Sequence, residues 1–289
     1  SLNPHYVVHP LEGIKSNLDD NIQVSYAKGC HTYKFLPAIP SELFKENDGF
    51  KVDFFDGQEF EGEPIETKIL KGNKFWAMGG FGLDIVAQSK RPSLSVRFAG
   101  EIEPEFTGEY EFEIFSIGPS RLSINGENLI DNWTSQDPGD AFFGMGSSPK
   151  RNTVTFQKGE SYFIEVEYKW EGRFPAVQIG MQVPDQHDLM EEAISLAKQS
   201  DAVILIVGTN SDWETEGNDR ASLELPSNQD ELIKNICEVN KNTVVVLNTG
   251  SPCEMPWHNE ANAILQSWFP GQEFGNSLSD IIFGEVNPS

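Results

Sequence analysis

From about Gly49 to Val183 the hydrophobic pattern changes to a period of two. Tyr110, Phe112 and Ile114 alternate with Glu109, Glu111 and Glu113. Tyr162, Ile164, Val166, Tyr168 and Trp170 alternate with Glu165, Glu167 and Lys169. A period of two gives a strand one apolar and one solvated face, so the glutamates at 109–113 read as a solvated face. Asn125-Gly126, between Leu122/Ile124 and Leu129/Ile130, is a two-residue hairpin turn. Convincing helix patterns are few here, and the stretch reads as an antiparallel β-sandwich or barrel.

The flanks follow other rules. Pro10 to Lys15 reads as a short helix and Ile22 to Tyr26 as a strand. From Pro184 onward, Leu189, Ala193, Ile194, Leu196 and Ala197 mark an amphipathic helix. A second helix holds Leu232, Ile233, Ile236 and Cys237, with Ser227 as its expected N-cap. The strands are Ala202 to Val207, Thr243 to Asn248, and a segment from Ala263. Strand–helix alternation at this spacing implies a parallel α/β sandwich. The expected organisation is an α/β fold in two segments, 1–44 and 185–289, interrupted by a β-domain at 45–184. Domains insert where a loop is exposed and its ends lie close.

The run Ala202-Val203-Ile204-Leu205-Ile206-Val207 is wholly apolar, as in a parallel strand covered on both faces. The loop after it carries Asp212, Glu214, Glu216 and Asp219, beside Trp213 and Arg220. Open α/β sheets place ligands beyond the carboxyl ends of their strands. Either the loop performs acid–base chemistry there or it is a solvated loop of an acidic protein.

The acidity is general. Of 289 residues 45 are Asp or Glu and 21 are Lys or Arg, for a net charge of -24. That field repels phosphate backbones and anionic lipid, which argues against nucleic-acid or membrane partners. Neutral sugars escape this repulsion. Three cysteines, Cys30, Cys237 and Cys253, lack metal-ligand spacing, and so do the five histidines. An odd, low cysteine count fits free thiols in a reducing compartment and favours the cytoplasm over secretion. No metal site is expected. The sequon Asn132-Trp133-Thr134 reads as unmodified, at a strand end.

The segment from Val207 to Leu225 resembles the acid/base loop of glycoside hydrolase family 3, the β-glucosidase-type enzymes. The resemblance runs on through Pro226 to Ile233, Asn242 to Pro252, Glu254 to Trp257, Trp268 to Glu273 and Phe283 to Ser289. The family pattern would continue past Ser289, so the C-terminus is expected to be a cut, and the resemblance as a whole implies the C-terminal portion of a family 3 enzyme. The β-domain resembles the PA14 module through Gly49 to Phe55, Phe106 to Phe112 and Leu129 to Trp133. Some family 3 enzymes carry PA14 inserted at this point.

The resemblance implies a retaining β-glucosidase acting on terminal non-reducing β-D-glucosyl residues. Such enzymes use two carboxyl groups about 5 Å apart, a nucleophile and a general acid/base. The family's Glu-Gly pair before an Asp-Arg corresponds to Glu216-Gly217 before Asp219-Arg220, so Glu216 is the expected acid/base. Glu214 is the alternative, since the loop varies in length. Asp219 and Arg220 are expected to pair locally. Ser211-Asp212-Trp213 has the letters of the family's nucleophile motif, but that residue belongs to a preceding barrel, which would be the chain's partner. Without the barrel the chain is expected to be inactive. Trp213 is a candidate sugar contact, and Phe142 and Phe143 are candidates for a pocket rim supplied by PA14. No cofactor is implied, and a homo-oligomer is compatible with the sequence. Two alternatives stay open: a carbohydrate-binding protein working through PA14, and a family 3 enzyme of other specificity, such as a β-xylosidase.

Overall fold

The computed structural model describes residues 4–76, 93–171, 174–215, 217 and 219–288. The chain forms two compact units. One comprises residues 1–34 and 185–289, the other residues 35–184. The mixture of antiparallel and parallel sheets expected from the two hydrophobic periods is present.

The chain enters through helix α1 (Pro10–Ser16), with proline in its first turn, where the missing N–H costs nothing. Residues 22–26 were expected to be a strand, but no ladder includes them among the described residues, and Ile22 and Tyr26 are exposed. Their β-favouring residues have no neighbouring strand to bond.

The second unit begins at Phe35, earlier than the period change suggested. Leu36, Ile39, Leu43 and Phe44 are buried, and Lys45 N–H donates to Glu101 O at 2.9 Å. This stretch has no alternation of its own, so its membership is decided by packing. The strands are β1 (Phe50–Asp56), β2 (Glu66–Leu70), β3 (Lys74–Trp76), β4 (Ser93–Ile102), β5 (Gly108–Ile117), β6 (Ser120–Ile124), β7 (Glu127–Asn132), β8 (Lys150–Phe156), β9 (Tyr162–Glu171) and β10 (Ala176–Gln182). They form a six-stranded sheet, β2-β1-β4-β9-β6-β7, and a four-stranded sheet, β3-β10-β5-β8, every pairing antiparallel. Phe98, Phe112, Ile164, Val166, Tyr168 and Ile179 from both sheets share one core. Each such side chain contributes about 1.5–3 kcal/mol on burial. The β6–β7 hairpin turns at Asn125 (φ 50°) and Gly126 (φ 83°), the left-handed pair that a two-residue turn needs.

One expectation fails instructively on this unit. Glu113 is fully buried, not solvated. Its carboxylate accepts from Arg151 Nε at 2.7 Å and from Leu36 N–H at 2.9 Å. Burial pushes its pKa up, while Arg151 opposes the shift. Incoming residues 35–44 cover a face that alternation alone leaves in water. Phe142 is also buried, in a smaller cluster with Phe115, Ala141 and Ala176. Asn132 is buried, and its Nδ2 donates to Ser116, Ser120 and Ser147 Oγ at 3.0–3.1 Å, which closes the sequon to modification in the fold.

The first unit resumes with α2 (Leu189–Gln199), capped by Asp188, whose side chain accepts from Met190 and Glu191 N–H. Strand β11 (Val203–Gly208), α3 (Gln229–Val239), β12 (Thr243–Asn248), β13 (Ala263–Gln266) and α4 (Phe274–Ile282) follow. The three strands form a parallel sheet in the order β11-β12-β13. Ile233 and Cys237 of α3 pack on Val207, Val245 and Leu247. Ala193 and Ala197 of α2 pack on Leu232 and Ile236. Helices α1 and α4 meet at Gly13 and Gly275, where a Cβ on Gly13 would lie 2.2 Å from the Gly275 carbonyl. Ser227 does not cap α3. It is left-handed (φ 58°), and Asn228 holds the cap position without a side-chain bond. Among the described residues no helix is long and apolar enough to cross a membrane.

Candidate functional site

Strand β11 ends at Gly208, whose φ of 154° and closeness to β12 both require glycine. A Cβ there would lie 2.0 Å from Asn248 O. Gln229, at the start of α3, fixes this exit. Its Oε1 accepts from Gly208 N–H at 2.7 Å, and its Nε2 donates to Gly208 O at 2.8 Å and Pro226 O at 2.9 Å. The chain then reverses at Asn210, whose side-chain oxygen accepts from Asp212 N–H at 3.0 Å. Asn210 O accepts from Glu214 N–H at 2.9 Å.

The turn brings Glu214 back over the strand ends. Its Oε1 accepts from Thr209 Oγ1 at 2.5 Å, just past β11, and from Gly250 N–H at 3.2 Å, just past β12. Arg220 Nη1 lies 3.8 Å from the same oxygen. Among the described residues the polar neighbours of that oxygen are donors, so Glu214 is arranged as an acceptor. Phe269, beyond β13, closes on the same place: a Cβ on Gly250 would lie 2.5 Å from its ring and 2.8 Å from Glu214 Oε2.

Glu216, the expected acid/base, lies outside the described residues. Gly217 has φ 79°, a left-handed turn of the kind glycine permits. Arg220 does not pair with Asp219. It donates to Ser251 Oγ at 3.2 Å, Pro252 O at 3.3 Å and Glu224 O at 2.8 Å. A guanidinium presents five donors, and a hydroxyl and a carbonyl past β12 together with a carbonyl of its own loop engage more of them than one exposed carboxylate can. Trp213 is half-buried, its Nε1 donating to Thr32 O at 2.8 Å and Lys34 Nζ lying 5.9 Å from its ring centroid.

The other two candidates lie on the 35–184 unit. Phe142 (φ 54°) and Phe143 (φ 60°) are both left-handed, an uncommon conformation for bulky side chains. Phe142 turns inward and is 7% exposed, whereas Phe143 is 48% exposed. Trp76 packs against both rings, at 5.8 and 5.6 Å between centroids.

Sequence reasoning missed Gln229, Thr209, Gly250 and Phe269. Thr209 and Gly250 act through position just after a strand, which is readable once strand ends are known. Gln229 acts through a long-range bond to backbone, which leaves no pattern. Trp268, beside Phe269, is left-handed (φ 57°) and 58% exposed at the carboxyl end of β13. Its signal was an aromatic pair directly after a strand. Among the described residues no group of three His, Cys, Asp or Glu could hold a metal ion.

The chain matches the glycosyl hydrolase family 3 C-terminal domain over residues 1–289. It is 36% identical to a β-glucosidase of Rhizobium radiobacter, covering 99% of this chain and 34% of that protein. It is 34% identical to β-glucosidase B of Emericella nidulans, covering 100% of this chain and 35% of that protein. The β-glucosidase of Kluyveromyces marxianus, solved in complex with glucose, superposes with a TM-score of 0.84 at 30% identity, over 99% of this chain and 35% of that one. The chain thus spans about a third of the length of these relatives. On the full-length family match and these identities, this chain belongs to the glycosyl hydrolase family 3 C-terminal domain family.

Proposed function

We propose that this chain is the acid/base-bearing portion of a retaining β-glucosidase, acting on terminal β-D-glucosyl residues together with a barrel that carries the nucleophile. The carrying observation is the loop after β11, which leaves the carboxyl end of a parallel sheet and is bound back to the exits of two strands by Glu214. That is where α/β folds hold ligands. The relatives named as β-glucosidases support the substrate class. In this reading Glu216 protonates the leaving oxygen and then deprotonates the attacking water. The donors gathered on Glu214 favour Glu216 over it for that role.

Strand β11 supports a partner segment. It is an edge strand among the described residues, and Ile206 is 36% exposed. A run this apolar suits a strand with both edges paired and both faces covered. We read residues 35–184 as an inserted PA14-type module. We keep Phe143 as a candidate contact for the leaving-group sugar, with Phe142 as its buried support. Trp213 remains a candidate wall of the glucose pocket.

The test has two arms. Residues 1–289 alone should leave an aryl β-glucoside intact. In the full-length polypeptide, Glu216→Ala should slow hydrolysis of a phenyl glucoside by roughly 10²–10⁴-fold, the usual worth of a general acid. On a 2,4-dinitrophenyl β-glucoside, whose leaving group needs no protonation, azide should then restore turnover of this variant by attacking the glycosyl-enzyme in place of the base-activated water. An azide-insensitive Glu216→Ala enzyme with unaltered rates would refute the assignment.

A further inference from the structure

We propose that Glu214 is the positioning residue of the acid/base loop, fixing that loop to the ends of β11 and β12 without itself exchanging a proton. The proposal deepens the β-glucosidase reading and rests on it.

A proton donor must be held to within about 0.5 Å of its productive position. Loops supply this poorly unless something ties them down. The loop after β11 carries its own tie. The Glu214 carboxylate faces a hydroxyl past β11 (Thr209), a backbone N–H past β12 (Gly250) and the Arg220 guanidinium at the loop's far side. Arg220 continues the connection to Ser251, Pro252 and Glu224. The loop is therefore gripped before and after position 216 by one carboxylate–guanidinium pair. Both members are largely withdrawn from water, at 13% and 10% side-chain exposure. Hydrogen bonds to an ionised acceptor are the stronger kind, and their shielding here limits competition from solvent.

Gly250 is part of the device. Any side chain there would meet Glu214 and Phe269. The backbone N–H can reach the carboxylate only because nothing stands in between.

The role predicts a specific kinetic signature. Misplacing a proton donor slows reactions that need protonation of the leaving group and spares those that do not. The measurement is kcat and KM of Glu214→Ala and Glu214→Gln in the full-length polypeptide, on phenyl and 2,4-dinitrophenyl β-glucosides. Glu214→Ala should lose about 10²-fold in kcat/KM on the phenyl substrate, the typical cost of a displacement near 1 Å, and less than about fivefold on the dinitrophenyl one. Glu214→Gln keeps an oxygen that accepts from Thr209 and Gly250, so it should recover most of the phenyl rate. Azide should rescue neither variant.

A uniform loss on both substrates would overturn the proposal, since it marks general damage to the fold. An unchanged phenyl rate in Glu214→Ala would also overturn it. If Glu214→Gln is as slow as Glu214→Ala and azide rescues both, Glu214 is itself the acid/base: the positioning role and the assignment to Glu216 fall, while the β-glucosidase reading stands. If Glu216→Ala alone is azide-rescued, the enzyme reading stands whatever Glu214 does. Should Glu214→Ala fail to fold, Thr209→Val removes one donor with little change of shape. It should give the same leaving-group selectivity at several-fold strength, and its absence there would equally refute the role.

Discussion

Strands β5 and β11 exchange the fates their compositions suggest. Strand β5 carries three glutamates yet lies mostly out of water, with Tyr110, Phe112 and Ile114 fully buried and Glu113 beside them. Strand β11 is apolar throughout yet only Val207 is buried. The difference lies in what covers each strand. Strand β5 has β10 on one edge and β8 on the other, and its fully buried side chains belong to a core shared by both sheets. Strand β11 has β12 on one edge and no strand on the other among the described residues. Strand β5 is thus covered from within the 35–184 unit, and Arg151 of the same unit answers its buried charge. The α/β unit carries apolar surface for which the described residues supply no cover.

The sharpest way to break this comparison is to open the self-sufficient core. Phe98 is fully buried between Phe50 and Phe75, with ring centroids 6.4 and 5.9 Å away. Phe98→Ala should cost the 35–184 unit about 3–5 kcal/mol, the transfer loss plus an unfilled cavity. Hydrogen exchange followed by mass spectrometry on the whole chain should report faster exchange in β1, β4 and β9, with α2, α3 and β12 unchanged. Equal acceleration in both units would mean that they do not hold their structure separately.

A smaller perturbation addresses the other unit. Gly13→Ala would thrust a methyl into the Gly275 backbone at 2.2 Å, where no side chain can swing away. Alanine improves helix propensity by about 1 kcal/mol. Overpacking against backbone costs about 1–3 kcal/mol and should prevail. Amides of α1 and α4 should exchange faster, with β5 and β9 unaffected. A stabilised α1 would show that these helices part without penalty.

These two sites also mark what the sequence could and could not reveal. Phe98 sits in a strand whose partners alternate, so its burial follows from period. Gly13 looks like an ordinary helix interior, and only the approach of Gly275, far along the chain, explains it. The candidate site divides in the same way. The loop after β11 was legible from an apolar run followed by carboxylates. The grip of Gln229 on Gly208 and of Glu214 on Gly250 joins residues that only the fold brings together. Ser227 was misread because a good capping residue stood two positions before the helix, where the backbone turned left-handed and left the cap to Asn228. Glu113 was misread because alternation describes one sheet and is blind to the segment that covers its outer face.

The smallest expected effect concerns a row of charges across the six-stranded sheet. Register sets Asp53 opposite Arg97, Arg97 opposite Glu167, Glu167 opposite Arg121, and Arg121 opposite Asp131, so charge alternates across five strands. Glu167 is the centre, accepting from Arg97 Nη2 at 3.3 Å and from Arg121 Nε at 2.6 Å. Cross-strand pairs of opposite charge favour one register, and although Glu167 is buried, its two arginine partners reach water and a glutamine keeps its shape and an accepting oxygen. Glu167→Gln should therefore cost about 1 kcal/mol or less. Because it leaves two arginines facing each other, the gap to the unaltered protein should narrow in 1 M salt, where the Debye length is about 3 Å. The acid end of this row sharpens the point. Backbone and hydroxyl bonds from Thr134, with the Trp133 N–H, hold Asp131 down to about 2. A carboxyl depressed in the folded state stabilises above its unfolded pKa of about 3.9 and loses that contribution as pH falls toward the folded value. The turn after β7 should thus persist at pH 4, read by protection of the Trp133 and Thr134 amides, and weaken only as pH approaches 2. Loss of that protection already at pH 4 would mean that the row is ornament on a sheet held by its core alone.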